Sequence, residues 1–210
     1  MKKSKKIGRI LYICFLVIAI AVAGCVIIQK DLKEKSKELK QESKKYEITK
    51  TKTKSGKEID TEYIRIEENK FYIKRPLEFK QLDKNTINKK YNGDIPNIVF
   101  SSEDTKINLA IKITENEMKN NKIKSYTNQM TNLLKESSKI ISTKDYKIDG
   151  YNIGQIKLIT SAEDTDIYNN MIFFSYENKL IIITFNCTID LQEEWQEVGD
   201  FLIDSLFFTE

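Results

Sequence analysis

Three carboxylates in four positions, Glu163, Asp164 and Asp166, form a dense group of potential ligands in the chain. Oxygen donors of this kind suit Ca²⁺, yet the stretch lacks the turn glycine and terminal glutamate of an EF-hand loop. A solvated acidic turn is the default, with a cation or partner loop as the functional alternative. Glu67-Glu68 and Glu103-Asp104 are two more acidic pairs that read as solvent-facing turns. A pair working as general acid and base must converge on one cleft and have its pKa values split by burial. None of these acids is embedded in apolar sequence. Ser101, Ser102 and Ser161 have no nucleophile-elbow context, and the chain contains no histidine to act as base. No catalytic residue, metal centre or cofactor is expected, and the chain is not expected to be an enzyme.

Cysteine points elsewhere. The three are Cys14, Cys25 and Cys187, so only one lies in the C-terminal part and no internal disulfide is available there. Cys187, in a predicted strand, reads as a small buried hydrophobe. Asn186-Cys187-Thr188 matches a glycosylation sequon, but a strand is the wrong place for one. Cys25 closes Val22-Ala23-Gly24-Cys25, which resembles a bacterial lipoprotein box and makes Cys25 the lipidation candidate. Val22 stands where leucine is usual, and Val26-Ile27-Ile28 stays apolar where a lipoprotein turns polar.

That cysteine sits in the stretch Ile10–Ile28, nineteen residues without a charge. As a helix it would be about 28 Å long, roughly the thickness of a bilayer's hydrocarbon core. Residues 1–9 carry five cationic side chains and no acid, which predicts a cytoplasmic tail. The expectation is a transmembrane anchor or lipoprotein signal over 10–28. It implies a bacterial cell-membrane protein, single-pass or lipid-anchored, with its C-terminal domain extracytoplasmic and the lipid bilayer as one partner. Residues 29–60 read as a charged helical or flexible spacer, its Thr49–Lys57 part as a solvated linker.

Charge divides along the same lines. The formal +4 comprises +5 over residues 1–25, +4 over 26–60 and −5 over 61–210. The C-terminal part is mildly acidic, which argues against nucleic acid as a partner.

From Thr61 the hydrophobic period changes to that of strands. Tyr63–Ile66 and Phe71–Ile73 predict a hairpin closed by Pro76. A short helix is placed near Asp83–Lys89, a strand at Asn97–Ser101, and a half-buried strand alternating from Ile107 to Ile113. Helices are predicted over Ile123–Ser137 and from an Asp190 N-cap with Glu193 as its capping box. Between them, Asp149-Gly150 and Glu177–Lys179 mark two hairpin turns. Leu180–Phe185 is apolar on both faces, so it should be central and covered from both sides. The predicted class is α+β, a mainly antiparallel β-sheet with helices packed on both faces, preceded by a membrane anchor helix and charged spacer. Trp195, on the apolar stripe of the last helix, is the predicted structural anchor, worth about 3–5 kcal/mol if buried.

Four places carry a family resemblance: Phe71–Pro76, Ile153–Ile156, the hairpin Met171–Phe185, and Trp195–Phe207 with Ser205 near its end. Together they resemble the PsbP-like fold, which includes the photosystem II extrinsic P subunit and the DcrB-type bacterial envelope lipoproteins. The resemblance covers 61–210. The family usually has a tryptophan or other aromatic soon after the opening proline, and Phe79 is the only candidate here. The family shares no catalytic constellation, so the resemblance implies a membrane-tethered accessory domain that docks another envelope protein. A solute-binding or hydrolytic envelope lipoprotein is the alternative.

Overall fold

In the computed structural model, the residues described are 47–66, 71–91, 93 and 95–209, together with Lys30, Lys33 and Lys35, which are helical and exposed. Residues 10–28, Cys25 and the turn expected at 67–70 lie outside them. The compact unit is 45–210. Among the described residues no helix is long and apolar enough to cross a membrane. The anchor helix expected in the architecture, and the signal-anchor and single-pass placement drawn from it, are corrected on that finding. The longest described helix, Ile189–Asp204, has one apolar face only, and Glu193, Glu194 and Glu197 stand among its sixteen residues.

Among the described residues of the unit, eleven strands and three α-helices follow one another, with a short 3-10 turn at Asn120–Lys122. The strands are β1 (Thr49–Lys52), β2 (Glu58–Ile66), β3 (Phe71–Pro76), β4 (Lys80–Gln81), β5 (Ile98–Ser101), β6 (Ile107–Glu117), β7 (Ser138–Ile148), β8 (Tyr151–Thr160), β9 (Ile167–Tyr176), β10 (Lys179–Thr188) and β11 (Phe207–Phe208). The helices are α1 (Lys84–Lys90), α2 (Ile123–Leu134) and α3 (Ile189–Asp204). The class is α+β. Two sheets form rather than one: β1-β2-β3-β11, and a seven-stranded sheet ordered β4-β5-β6-β10-β9-β8-β7. Every pairing among the described residues is antiparallel.

Local chemistry accounts for the turns. Asp149 and Gly150 both take positive φ (48° and 86°), the pair of left-handed residues that a tight hairpin turn between β7 and β8 requires. Glu177 and Asn178 do the same between β9 and β10. Asp83 caps α1, its carboxylate accepting from the backbone N–H of Asn85 (2.9 Å) and Thr86 (3.1 Å). At α3 the N-cap is Thr188, not Asp190; Asp190 falls in the first turn, where the helix dipole favours a negative charge.

β1 is the departure with most consequence. The alternating lysines and threonines of 49–52 look like a linker, but they pair with β2 in register, Thr49 opposite Thr61, with the two hydroxyls 3.0 Å apart. The strand's half-buried threonines and exposed lysines make an edge that is hard to extend by accident.

The main core lies between one face of the seven-stranded sheet, α3 and the smaller sheet. It holds Phe71, Ile73, Leu109, Ile111, Phe174, Ile183, Phe185, Val198 and Leu202, all fully buried. The other face carries α2 over Ile156, Leu158, Phe173 and Leu180, and α1 over Val99 and Ala110. Along β10, Leu180 and Ile182 belong to the α2 side, while Ile181, Ile183, Phe185 and Cys187 belong to the α3 side. The double-sided cover expected for this strand ends at Thr184. From there Thr184 and Asn186 line a cavity of about 250 Å³ with Tyr91 and Met171.

Two glycines permit the helices to approach. A Cβ on Gly199 of α3 would collide with the Phe185 ring, and one on Gly154 of β8 would collide with the Thr127 hydroxyl of α2. Gly199→Ala is expected to lower stability by about 1–2 kcal/mol in a thermal or urea melt, because overpacking costs more than the helix propensity returns. An unchanged or raised midpoint would show that Phe185 has room to move.

Candidate functional site

A groove of about 540 Å³ opens where four distant parts of the chain meet. Lys57 precedes β2, Glu78 lies in the β3–β4 turn and Lys80 opens β4, and Ser102, Glu103 and Asp104 form the β5–β6 turn. Ile107, Leu191 and Trp195 complete the lining. Trp195 is 7% exposed, with its ring centroid 6.0 Å from that of Phe79. The Lys57 ammonium stands 5.9 Å from the indole centroid and 3.6 Å from a Glu78 carboxylate oxygen. The result is an aromatic floor inside a rim bearing both signs of charge.

The hydroxyl and one carboxylate of this rim already have work to do. Ser102 Oγ donates to Asp104 Oδ1 (2.6 Å) and accepts from the Ile107 N–H (3.1 Å). Asp104 Oδ1 also accepts from the Lys106 N–H (3.2 Å). The Ser102 hydrogen bond, first among its causes, holds the Asp104 carboxyl below its ordinary pKa. These groups tie a turn. Ser101 is equally committed, donating from inside the sheet to Asn108 Oδ1 (2.7 Å). The groove therefore offers shape, an aromatic surface and charge, with no activated nucleophile.

Glu163, Asp164 and Asp166 are exposed in the β8–β9 loop, away from the groove lining. The Asp166 carbonyl accepts from the Ile189 N–H (2.9 Å), fastening that loop to the start of α3. Among the described residues, no group of three or more His, Cys, Asp or Glu could hold a metal ion. Cys187 is fully buried, and burial pushes its thiol up to about 12. Cys25 lies outside the described residues.

A second polar cluster escaped the sequence reading. At the β7 end of the α3 face, Asp200 receives Lys157 Nζ (2.6 Å) and Asn170 Nδ2 (2.8 Å), and Asn170 Oδ1 accepts from Gln155 Nε2 (2.8 Å). The Asp204 carboxylate, one turn further on, has no hydrogen bond or ion pair among the described residues, and α3 has no basic residue in its last turn. Burial first, and then the Asp200 charge, raise its carboxyl pKa, partly offset by Lys157 and Lys144. Because the folded chain holds this proton more tightly than the unfolded one, stability falls as pH rises from the usual aspartate value through the raised one. Asp204→Asn is thus expected to raise the melting temperature at pH 7, with the gain vanishing near pH 3. A melting difference that persists at pH 3 would assign the effect to packing.

An antiparallel sheet with helices on both faces, a second small sheet and a long closing helix define the class. No family model and no curated protein matches the chain. The solution structure of the cyanobacterial PsbP of Synechocystis is similar at a TM-score of 0.53, with 12% identity over 71% of this chain and 92% of that one. The Ran-binding protein Mog1p of Saccharomyces cerevisiae is similar at 0.42, with 9% identity over 70% and 95%. The relationship to PsbP is a distant one of fold.

Proposed function

We propose that the 45–210 unit is an accessory binding domain that acts by docking another protein in the Trp195 groove, without catalysis. The observation that carries this reading is the groove's construction. A nearly buried tryptophan forms a floor ringed by Lys57, Glu78, Lys80 and Glu103. Aromatic floors inside a polar rim are where binding energy concentrates in protein interfaces.

A photo-reactive residue at exposed Lys80 tests it, with exposed Lys124 on α2 as control. In native cells the Lys80 position is expected to give one discrete cross-linked protein, lost when Glu103→Lys reverses a rim charge. Equal products from both positions, or none from Lys80, would remove the groove as the docking site.

A further inference from the structure

At the opposite edge of the seven-stranded sheet, β7 pairs among the described residues with a single strand, β8. Its register shifts between Ile140 and Ser142, and from Ser142 to Ile148 it then runs regularly against Lys157 to Tyr151. That regular stretch leaves its outer backbone groups without a neighbouring strand among the described residues. Beside it lies a cleft of about 440 Å³ lined by Lys144, Asp145, Tyr146, Gln155 and Asp204.

The cleft is rich in acceptors. Tyr146 buries its hydroxyl with no hydrogen-bond partner. An unpaired buried polar atom is costly, so its presence calls for a ligand or a function. Gln155 is 6% exposed and spends its Nε2 on Asn170, leaving its carbonyl oxygen to accept. Asp204 brings an unpaired carboxylate at the negative end of a helix, where a cation is favoured. Lys144 is the one cationic side chain in the lining, and it is exposed on the strand edge.

We propose that the outer edge of β7 accepts an extended segment of a partner protein by strand addition, and that one lysine or arginine of that segment lodges its head group against Asp204, Tyr146 and Gln155. Strand addition supplies backbone hydrogen bonds, and the cleft supplies selectivity through an alternate side chain. The rest of the edge sets the flanking chemistry. Lys139, Lys144 and Lys147 outnumber Asp145 along β7, so positions beside the single base are acidic or neutral. The same lysines argue against a second copy of β7, which would set lysine against lysine. This surface is separate from the Trp195 groove and does not depend on it.

The test is panning of a displayed library of random nine-residue peptides against the full chain, followed by amide hydrogen exchange with the enriched peptides. Enrichment of one basic residue flanked by acids, with new protection confined to 142–148, is expected. Asp204→Asn keeps the side chain's shape and is expected to weaken binding about tenfold or more, the worth of one charged hydrogen bond. Trp195→Phe should leave that affinity unchanged, which separates this edge from the groove. Enriched peptides without a base, protection elsewhere, no enrichment, or an Asp204→Asn protein that binds equally well would each overturn the proposal. So would a concentration-dependent dimer that masks 142–148.

Discussion

Phe71→Ala is expected to lower the unfolding free energy by about 3–5 kcal/mol, a large share of what a domain of this size commands. Phe71 is fully buried on β3, in the small sheet, yet its ring meets residues of the large one. It stands edge-on to Phe174 of β9 at 5.2 Å and tilted to Tyr176 at 5.9 Å. It also lies 6.3 Å from Phe208, its register partner on β11, which in turn is 5.3 Å from Phe174. Removing the ring leaves a cavity at the junction of the two sheets, where a rigid sheet on either side limits collapse. Urea unfolding of the full chain checks this. A lower midpoint with an unchanged slope is the expected outcome. A loss under about 1 kcal/mol would mean the small sheet is held mainly by its other contacts, such as Ile59 and Ile73 against the same core.

How legible this arrangement was in the sequence differs from element to element. The β7–β8 and β9–β10 hairpins could be read because Asp149-Gly150 and Glu177-Asn178 are local signals lying between apolar runs. The α3 stripe could be read because Leu191, Trp195, Val198 and Leu202 repeat at helical spacing. β1 could not. Its four residues carry no apolar side chain, and they become a strand through pairing with Ile59 and Thr61, not through propensity. The site was legible only in parts. Trp195 and Glu103-Asp104 are each visible alone, but their meeting in one groove depends on packing between segments about ninety residues apart. Asp200, in the C-terminal part of α3, was not legible as part of a polar cluster. Its actual partners, Lys157 and Asn170, come from β8 and β9, and no pattern within the helix announces them.

Trp195→Ala is the second large effect, about 3–5 kcal/mol if the indole acts chiefly as core. Its 7% exposure, its contact with Phe79 and its place in the main hydrophobic cluster support that size. The residue also forms the groove floor, so the loss of docking in this variant says nothing by itself. Trp195→Phe separates the two roles. A phenyl ring keeps most of the apolar contact with Phe79 and is expected to cost about 1–2 kcal/mol, leaving the chain folded. It removes the indole N–H and part of the face beneath Lys57, whose attraction to an aromatic ring is strongest for tryptophan. If Trp195→Phe melts near the parent temperature and still loses the cross-link from Lys80, the tryptophan serves recognition beyond its packing. If it keeps the cross-link while Trp195→Ala unfolds, the indole is a structural floor, and recognition rests with the charged rim of Lys57, Glu78, Lys80 and Glu103.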